Sequence, residues 1–284
     1  MPSPLPELFL RDDSRCPPES LRVLITRPEE QAPETAELVQ AAGGTALVHP
    51  CLRLAPPADP GPLQEALREL TRYTWVALAS ANAARLVAPA LLACPARPLL
   101  AAVGPRTAAS LAELGLTVEL CARAATAEGL AAEILSALRA RGRDPAAERV
   151  LLPRAAEGRE ALAEGLAAAG VEVTTVTAYQ MLPATAAALA TLVALLREGA
   201  VDLIPFGSPR TAEIALAAVG PDAAALLGRF TVGAIGKTTA AALAARGVRV
   251  DASAAVATFD ELLRALAAAH RQRAARDETG LRPA

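Results

Sequence analysis

The sequence predicts an α/β protein with two doubly wound parallel-sheet domains, one inserted in the other. Strand-like apolar runs alternate with alanine-rich helical runs along the chain, and two pairs of segments repeat each other. Strands that alternate with helices favour parallel sheets covered on both faces. With 284 residues, the chain is long enough to build two modest domains with sizeable cores.

Ten apolar runs are the candidate strands. In chain order they are Arg22–Thr26, Thr45–Val48, Trp75–Ala79, Leu99–Val103, Thr117–Leu120, Val150–Leu152, Val171–Thr177, Asp202–Phe206, Thr231–Ile235 and Val248–Val250. The proline-rich stretch Pro50–Pro62 and the segment around Pro183 are predicted to be linkers.

The repeats show how these strands are divided between the domains. The segment that starts at Trp75 matches the one that starts at Val201: Gly104 to Gly115 and Gly236 to Gly247 both span 11 residues, and Ser80 corresponds to Ser208. The segments Arg22–Gly44 and Arg149–Val171 form a second pair, which aligns Arg27 with Arg154.

This order places the start of the chain in the same domain as its end. Residues 21–50 with 183–270 form domain 1, and residues 58–172 form the inserted domain 2. Residues 51–57 and 173–182 cross between the domains as hinge strands, so we expect a cleft that faces both repeats. Residues 1–20 and 271–284 are predicted to be flexible tails.

Composition excludes several classes of function. The net charge is −2, aromatic residues make up 2%, and no run of five basic residues occurs, which argues against nucleic-acid binding. No apolar run approaches the ~20 residues of a membrane span, and the N-terminus lacks a secretory signal pattern. Four scattered cysteines without a CxxC pair and two histidines predict reduced thiols and no metal centre. We therefore expect a cytoplasmic protein.

The loops after the strands carry the candidate binding residues. Helix N-termini bind anions through free N–H groups and a positive dipole end, and in doubly wound sheets they face the ligand. Four such turns occur in the repeat, and an arginine follows each of two further strands. The candidate residues are Arg27, Ser80, Asn82, Gly104, Thr107, Arg154, Ser208, Gly236 and Thr239.

The turn at Gly236 resembles a phosphate-binding P-loop, and Lys237 is the only lysine of the chain. A P-loop needs four residues between its glycines. Gly233 and Gly236 are separated by two residues, and Thr231 stands where the first glycine should be. The motif therefore fails as a P-loop, which weakens a nucleotide-dependent enzyme as an alternative.

Six segments together resemble the uroporphyrinogen-III synthase family. They are VLITRP, ALASANA, AAVGPRTAASLAELGL, LLPRAAEGREALAEGLAAAGVEVTTVTAYQ, IPFGSPRTAEIAL and AIGKTTAAALAARGVRV, and the resemblance covers roughly residues 21 to 268. The chain departs from the family pattern at Ala79 and Gly207, where threonine is frequent, and at Lys237, where proline is usual.

The resemblance implies a cofactor-free enzyme of tetrapyrrole (haem) synthesis. Its substrate would be hydroxymethylbilane, a linear tetrapyrrole with eight carboxylates, which is cyclised with inversion of the last ring and loss of water. Tyr179 matches the family's tyrosine near the reacting centre, so we expect it to donate a proton to the leaving hydroxyl. We expect a monomer. The alternative from another class is a hinge-closing binding protein for an anionic metabolite, without chemistry.

Overall fold

The computed structural model describes residues 8–9, 20–158 and 160–278. The strands, in chain order, are β1 (Arg22–Ile25), β2 (Thr45–Val48), β3 (Leu52–Ala55), β4 (Trp75–Leu78), β5 (Leu99–Ala102), β6 (Leu120–Cys121), β7 (Arg149–Ala155), β8 (Glu172–Pro183), β9 (Leu203–Phe206), β10 (Thr231–Ala234) and β11 (Ala252–Ser253).

The helices alternate with these strands. They are α1 (Ala32–Ala41), α2 (Gly61–Arg68), α3 (Ala81–Ala93), α4 (Pro105–Glu113), α5 (Ala127–Ala140), α6 (Ala161–Ala167), α7 (Ala186–Glu198), α8 (Pro209–Val219), α9 (Ala223–Leu227), α10 (Lys237–Ala244) and α11 (Phe259–Glu278).

The chain folds into two compact units. Unit 1 consists of Met1–Arg53 and Leu182–Ala284, and unit 2 consists of the single stretch Leu54–Met181. Each unit is built around one sheet, in the order β11-β10-β9-β1-β2 in unit 1 and β3-β8-β7-β4-β5-β6 in unit 2. The α/β class with two parallel sheets is therefore confirmed.

In unit 1, alternate residues of each strand pack against opposite layers of helices, as the pleat of a strand requires. Leu24, on β1, packs with residues of α7 to α10, whereas its neighbours Val23 and Ile25 pack with residues of α1 and α11. All four strand pairs of this sheet are parallel, so the C-terminal ends of its strands share one edge.

Unit 2 repeats this arrangement. Val76 and Leu78 of β4 belong to the core on the side of α3 and α4, and Trp75 and Ala77 to the core on the side of α5 and α6. The pairs β4–β5, β4–β7, β5–β6 and β7–β8 are all parallel.

The structure corrects four predicted elements. The predicted linkers at Pro50–Pro62 and around Pro183 contain β3, the start of α2 and the end of β8. Strands β3 and β8 lie almost entirely within residues 51–57 and 173–182, which the sequence predicted as strands. The strand predicted at Val248–Val250 forms later, at Ala252–Ser253, where the backbone reaches β10. The strand predicted at Thr117–Leu120 is reduced to Leu120–Cys121.

The prediction of a flexible C-terminal tail is also wrong for most of residues 271–284. Helix α11 continues to Glu278, and Arg273 donates hydrogen bonds to the carbonyl oxygens of Phe230 and Gly228 at 2.6 and 2.8 Å. Residues 279–284 lie outside the described residues, as does the predicted N-terminal tail except for residues 8, 9 and 20. Phe9 is fully buried in unit 1, and its amide donates to the Ala42 carbonyl at 3.0 Å.

Candidate active site

The C-terminal edge of the unit 2 sheet brings four of the candidate residues into neighbouring positions. Ser80 and Gly104 follow β4 and β5, whereas Arg154 and Tyr179 lie near the ends of β7 and β8. These strands are consecutive in the sheet in the order β8, β7, β4, β5. Parallel pairing therefore collects along one edge residues that are up to 99 positions apart in the chain.

Ser80 both caps a helix and contacts Tyr179. It is the N-cap of α3, where its Oγ accepts a hydrogen bond from the Ala83 amide at 3.1 Å. The same Oγ lies 3.1 Å from the hydroxyl oxygen of Tyr179, within hydrogen-bonding distance. Because the helix amide fixes Ser80, the serine in turn fixes the position of the tyrosine hydroxyl.

A β-bulge in β8 directs Tyr179 towards this edge. Arg154 of β7 pairs with Thr177, but the next residue, Ala155, pairs with Tyr179, so Ala178 is an extra residue in β8. Ala178 and Tyr179 are consequently both buried, although they are adjacent on a strand. Bulges commonly change the direction of a side chain next to an active site, and here the bulge leaves Tyr179 only 7% exposed.

Arg154 is held beside the tyrosine by neighbours on its own loop. Its guanidinium donates hydrogen bonds to the carbonyl oxygen of Gly158 and to a carboxylate oxygen of Glu160. A Cβ added at Gly158 would lie 3.1 Å from the Arg154 Cδ, so the glycine lets the loop fold closely over the arginine. The Arg154 side chain is 18% exposed, and the sheet edge therefore presents a partly solvated positive charge.

These residues line a cavity of about 420 Å³ within unit 2. The lining residues are Ala79, Ser80, Val103, Ala125, Thr126, Ala127, Glu128, Leu152, Pro153, Arg154, Ala155, Gly158, Leu162 and Tyr179. The first residue of α5 belongs to this lining, and the first residue of α3 is next to it. The first N–H groups of a helix have no hydrogen-bond acceptor inside that helix. The cavity therefore combines apolar walls with donors for an anion.

The loop before α5 has a strained backbone that the sequence did not indicate. Ala125 adopts a left-handed conformation with φ of 47°, which costs an alanine roughly 1–2 kcal/mol. The neighbouring residues hold it: Thr126 caps α5 through the Gly129 amide at 3.0 Å, and the Arg123 amide donates to Glu133 at 2.9 Å. Gly104 permits the arrangement, because its added Cβ would lie 3.1 Å from the Cβ of Ala125.

The remaining predicted residues of unit 2 lie in the first turns of its helices. Asn82 is the second residue of α3 and is half-buried. Thr107 is the third residue of α4, after the cap at Gly104, and it is 4% exposed. Thr107 therefore lies near the predicted site but behind the surface of the loop.

Unit 1 presents the repeat partners of these residues along the edge of its own sheet. Ser208 caps α8 by accepting the Thr211 amide at 3.1 Å, and its Oγ lies 2.6 Å from the Thr211 hydroxyl. Gly236 is the N-cap of α10, and Thr239 in the first turn is 1% exposed. Only Ile235 and Gly236 separate β10 from α10, too few residues to wrap around a phosphate.

Arg27 is the unit 1 counterpart of Arg154 and has several partners within its own unit. Its guanidinium donates to the Thr35 hydroxyl at 2.8 Å and to Gln31 at 2.9 Å. It also stacks on the ring of Phe259, with 4.1 Å from its Cζ to the ring centroid. These contacts give Arg27 a structural role that its position after a strand did not predict.

Two features of the described parts of the chain concern metal ligands and membrane spans. They contain no group of three or more histidine, cysteine or acidic residues that could hold a metal ion. In the same residues, none of the helices combines the length and apolarity needed to cross a bilayer.

Comparison with known proteins identifies the family. The model of the family described as uroporphyrinogen-III synthase HemD matches residues 33–264. This chain belongs to the uroporphyrinogen-III synthase family. The match spans most of both units, and it covers every predicted site residue except Arg27.

Individual relatives agree with the uroporphyrinogen-III synthase family. A Methanothermobacter thermautotrophicus protein that carries this name provisionally is 33% identical over 79% of this chain and 89% of its own length. The uroporphyrinogen-III synthase of Synechococcus elongatus is 29% identical over 86% of this chain and 93% of its own. A crystal structure of a mutant uroporphyrinogen III synthase from Thermus thermophilus has the same fold, with a TM-score of 0.52 at 20% identity over 89% of this chain and 100% of that one.

The family also decides between the functions that the sequence left open. Membership in the uroporphyrinogen-III synthase family confirms a cyclising lyase of tetrapyrrole synthesis, and it replaces the alternative of a binding protein without chemistry.

Proposed function

We propose that Tyr179 is the proton donor of the cyclisation and that Ser80 and Arg154 position it and the substrate. The reaction converts hydroxymethylbilane into uroporphyrinogen III with inversion of the last pyrrole ring and loss of water. The observation that carries the proposal is the 3.1 Å contact between the Tyr179 hydroxyl and the Ser80 Oγ, both in the lining of the unit 2 cavity.

Either hydroxyl can donate in the contact between Ser80 and Tyr179, and the proposal uses the direction in which the serine donates. The Ala83 amide donates to the Ser80 Oγ. The serine keeps its own proton, and when it donates this proton to the oxygen of Tyr179, the phenolic proton is available for the substrate. In this arrangement Tyr179 donates to the hydroxyl that leaves, and water departs.

The protein has little further covalent chemistry to perform. The electrons of the pyrrole expel the protonated hydroxyl and give an electrophilic azafulvene. The substituted α-carbon of the terminal ring attacks this azafulvene and forms the spiro intermediate. The bond from that carbon to its original methylene bridge then breaks and gives a second azafulvene, which the free α-carbon of the inverted ring attacks to close the macrocycle. The ring then loses one proton, which balances the proton donated to the leaving group, so the net change is the loss of one water. The main contribution of the enzyme is to orient the chain, which is positioning work.

The eight carboxylates of the substrate require many anion contacts. We assign them to the helix N-termini at the two sheet edges, with Asn82, Gly104 and Thr107 in unit 2 beside Ser80 and Arg154. The unit 1 contacts would come from Arg27, Ser208, Gly236 and Thr239. Helix N-termini supply N–H donors and a positive dipole end without extra lysines, so the net charge of −2 agrees with a polyanionic substrate.

The isomer of the product tests the proposed function. The protein is incubated with enzymatically generated hydroxymethylbilane, and the uroporphyrinogens are oxidised and separated by chromatography. We expect type III product, whereas exclusive type I product, which forms spontaneously, would contradict the proposal. The finer expectations of a monomer and of a cytoplasmic location stay predictions, and light scattering tests the first.

A further inference from the structure

The two units carry the same loop in two versions. Thr126 caps α5 through the Gly129 amide, and Thr258 in the repeat accepts the Glu261 amide at 3.3 Å in the same way. The first residue of the helix follows each threonine, and it is Ala127 in unit 2 and Phe259 in unit 1. A small side chain and a phenyl ring therefore occupy equivalent positions.

In unit 1 the ring of Phe259 fills the space at the end of the sheet. A Cβ added at Gly207 would lie 2.6 Å from the Phe259 Cζ, so the ring packs directly on the backbone of this glycine. On another side, the guanidinium of Arg27 stacks on the ring at 4.1 Å. The ring is only 9% exposed.

In unit 2 the equivalent space is open. The counterparts of Gly207, Phe259 and Arg27 are Ala79, Ala127 and Arg154, and all three line the cavity of about 420 Å³. The cavity thus occupies the place that the aromatic ring takes in the other repeat. This difference also explains the glycine at position 207, because the threonine that is frequent in the family would collide with Phe259.

We propose that this cavity binds one carboxylate-bearing pyrrole ring of the substrate, and that Ala127 determines its presence in unit 2 while Phe259 excludes an equivalent site in unit 1. The inference rests on the proposed function, since it assigns a part of the same substrate. It gives the two repeats unequal roles: unit 2 holds a ring beside Tyr179, and unit 1 offers only surface contacts at the matching position.

The lining has the chemistry that such a ring requires. Val103, Leu152 and Leu162 supply apolar surface for a flat heterocycle. The free amides at the starts of α3 and α5, together with the Arg154 guanidinium, supply donors for its carboxylates. Glu128 is an acidic residue of the lining, but it is exposed at the first turn of α5, where water screens its charge.

The substitution Ala127→Phe tests the proposal by placing the unit 1 side chain in unit 2. We expect kcat/KM for type III formation to fall about 10- to 100-fold, because the ring loses charge-assisted contacts. Pyrrole-3,4-dicarboxylate serves as the binding probe, and we expect it to shift the amide NMR signals of Ala81 and Ala127 in the wild-type protein. The corresponding signals should not shift in the variant.

The matched control is Ala186→Phe, which introduces the same side chain at the first residue of another helix after a threonine cap. It should keep the wild-type kcat/KM. If Ala127→Phe does not fold, Ala127→Val fills part of the same space and should lower kcat/KM in the same direction. A folded Ala127→Phe variant with wild-type kcat/KM would overturn the inference. A wild-type protein that binds the probe but yields only type I product would instead overturn the proposed function and leave the ring site standing.

Discussion

The hydroxyl oxygen of Tyr179 lies 3.1 Å from the Oγ of Ser80, although the two residues are 99 positions apart in the chain. Two local features create this contact. The cap of α3 fixes the serine, and the bulge at Ala178 turns the tyrosine towards the edge of the sheet where that helix begins. The catalytic proposal depends on both features.

Removing the serine hydroxyl should affect stability and turnover together. We expect Ser80→Ala to lower the free energy of unfolding by about 1 kcal/mol, since the N-cap is lost. The same change should lower kcat about 3- to 10-fold, because the Tyr179 hydroxyl loses the partner that orients it. Chemical denaturation and the type III assay measure the two effects.

A second cap separates these effects. Thr185 caps α7 by accepting the Ala188 amide at 3.3 Å, in the other unit. Thr185→Ala should cost a similar free energy of unfolding and leave kcat unchanged, whereas Ser80→Thr should retain most of both. Equal kcat values for Ser80→Ala and Thr185→Ala would show that Ser80 acts only as a cap.

Arg154 should act through substrate binding. The substitution Arg154→Lys keeps the positive charge but loses the planar fork that contacts Gly158 and Glu160. We expect KM to rise roughly 3- to 10-fold with little change in kcat, the pattern of a contact made equally in ground and transition states. Arg149→Lys is the control, because Arg149 lies on the same strand and pairs with the exposed Glu172. A similar rise in KM for both variants would contradict the assignment.

The buried thiol of Cys51 predicts how stability depends on pH. Burial raises the pKa of Cys51 from 9.0 to about 12. The folded state therefore keeps the thiol proton that the unfolded chain releases above pH 9. The contribution of this thiol to the free energy of unfolding is complete below that pH and is lost as the pH rises towards 12. Above pH 9, the free energy of unfolding should fall more steeply with pH in the wild type than in Cys51→Ala. We expect the two slopes to differ by about 1.4 kcal/mol per pH unit.

The comparison with the variant cancels the other groups that titrate in this range. Cys121→Ala, which removes an exposed thiol, should keep the wild-type dependence on pH. Parallel curves for wild type and Cys51→Ala between pH 9 and pH 11 would contradict the prediction.

A buried carboxylate in unit 2 predicts a purely structural effect. Glu148 is fully buried, and its Oε1 lies 2.5 Å from the Nε of Arg143, whose side chain is 45% exposed. The contact is an ion pair by distance but lacks hydrogen-bond geometry, so the charge of Arg143 is the main compensation for this carboxylate. We expect Arg143→Ala to lower the free energy of unfolding by about 1–3 kcal/mol, less than for a fully buried pair because water reaches the arginine. The double variant Arg143→Ala with Glu148→Leu should recover most of this loss, since it removes the unpaired buried charge. No recovery in denaturant titrations of the double variant would contradict this explanation.

The sequence predicted the class of fold, and it predicted that the candidate site residues follow the strands at one edge of each sheet. Alternating patterns and the repeat suffice for this, because parallel strands with helical crossovers always collect their C-terminal ends. The positions of Ser80 and Arg154 followed from that rule alone, and so did the cap at Ser208.

The details of the site depended on packing that the sequence does not display. The bulge at Ala178 arises from the pairing of two strands, and the strained conformation of Ala125 is held by hydrogen bonds of the neighbouring Arg123 and Thr126. The capping threonines Thr126 and Thr258 align Ala127 with Phe259 in the structure, and the contact of the ring with Gly207 shows that this difference opens one cavity and fills another. The short strands at Leu120 and Ala252 were misplaced because two residues carry no readable periodicity.

The direct test of the central claim is the rate of type III formation by Tyr179→Phe. The ring should stay in the core and keep the melting temperature, while the loss of the hydroxyl should lower kcat about 100-fold, at the lower end of the range for general acid catalysis. Tyr73→Phe, at the only other tyrosine, should keep the wild-type kcat. A folded Tyr179→Phe variant with the kcat of the wild type would contradict the role of Tyr179 as proton donor.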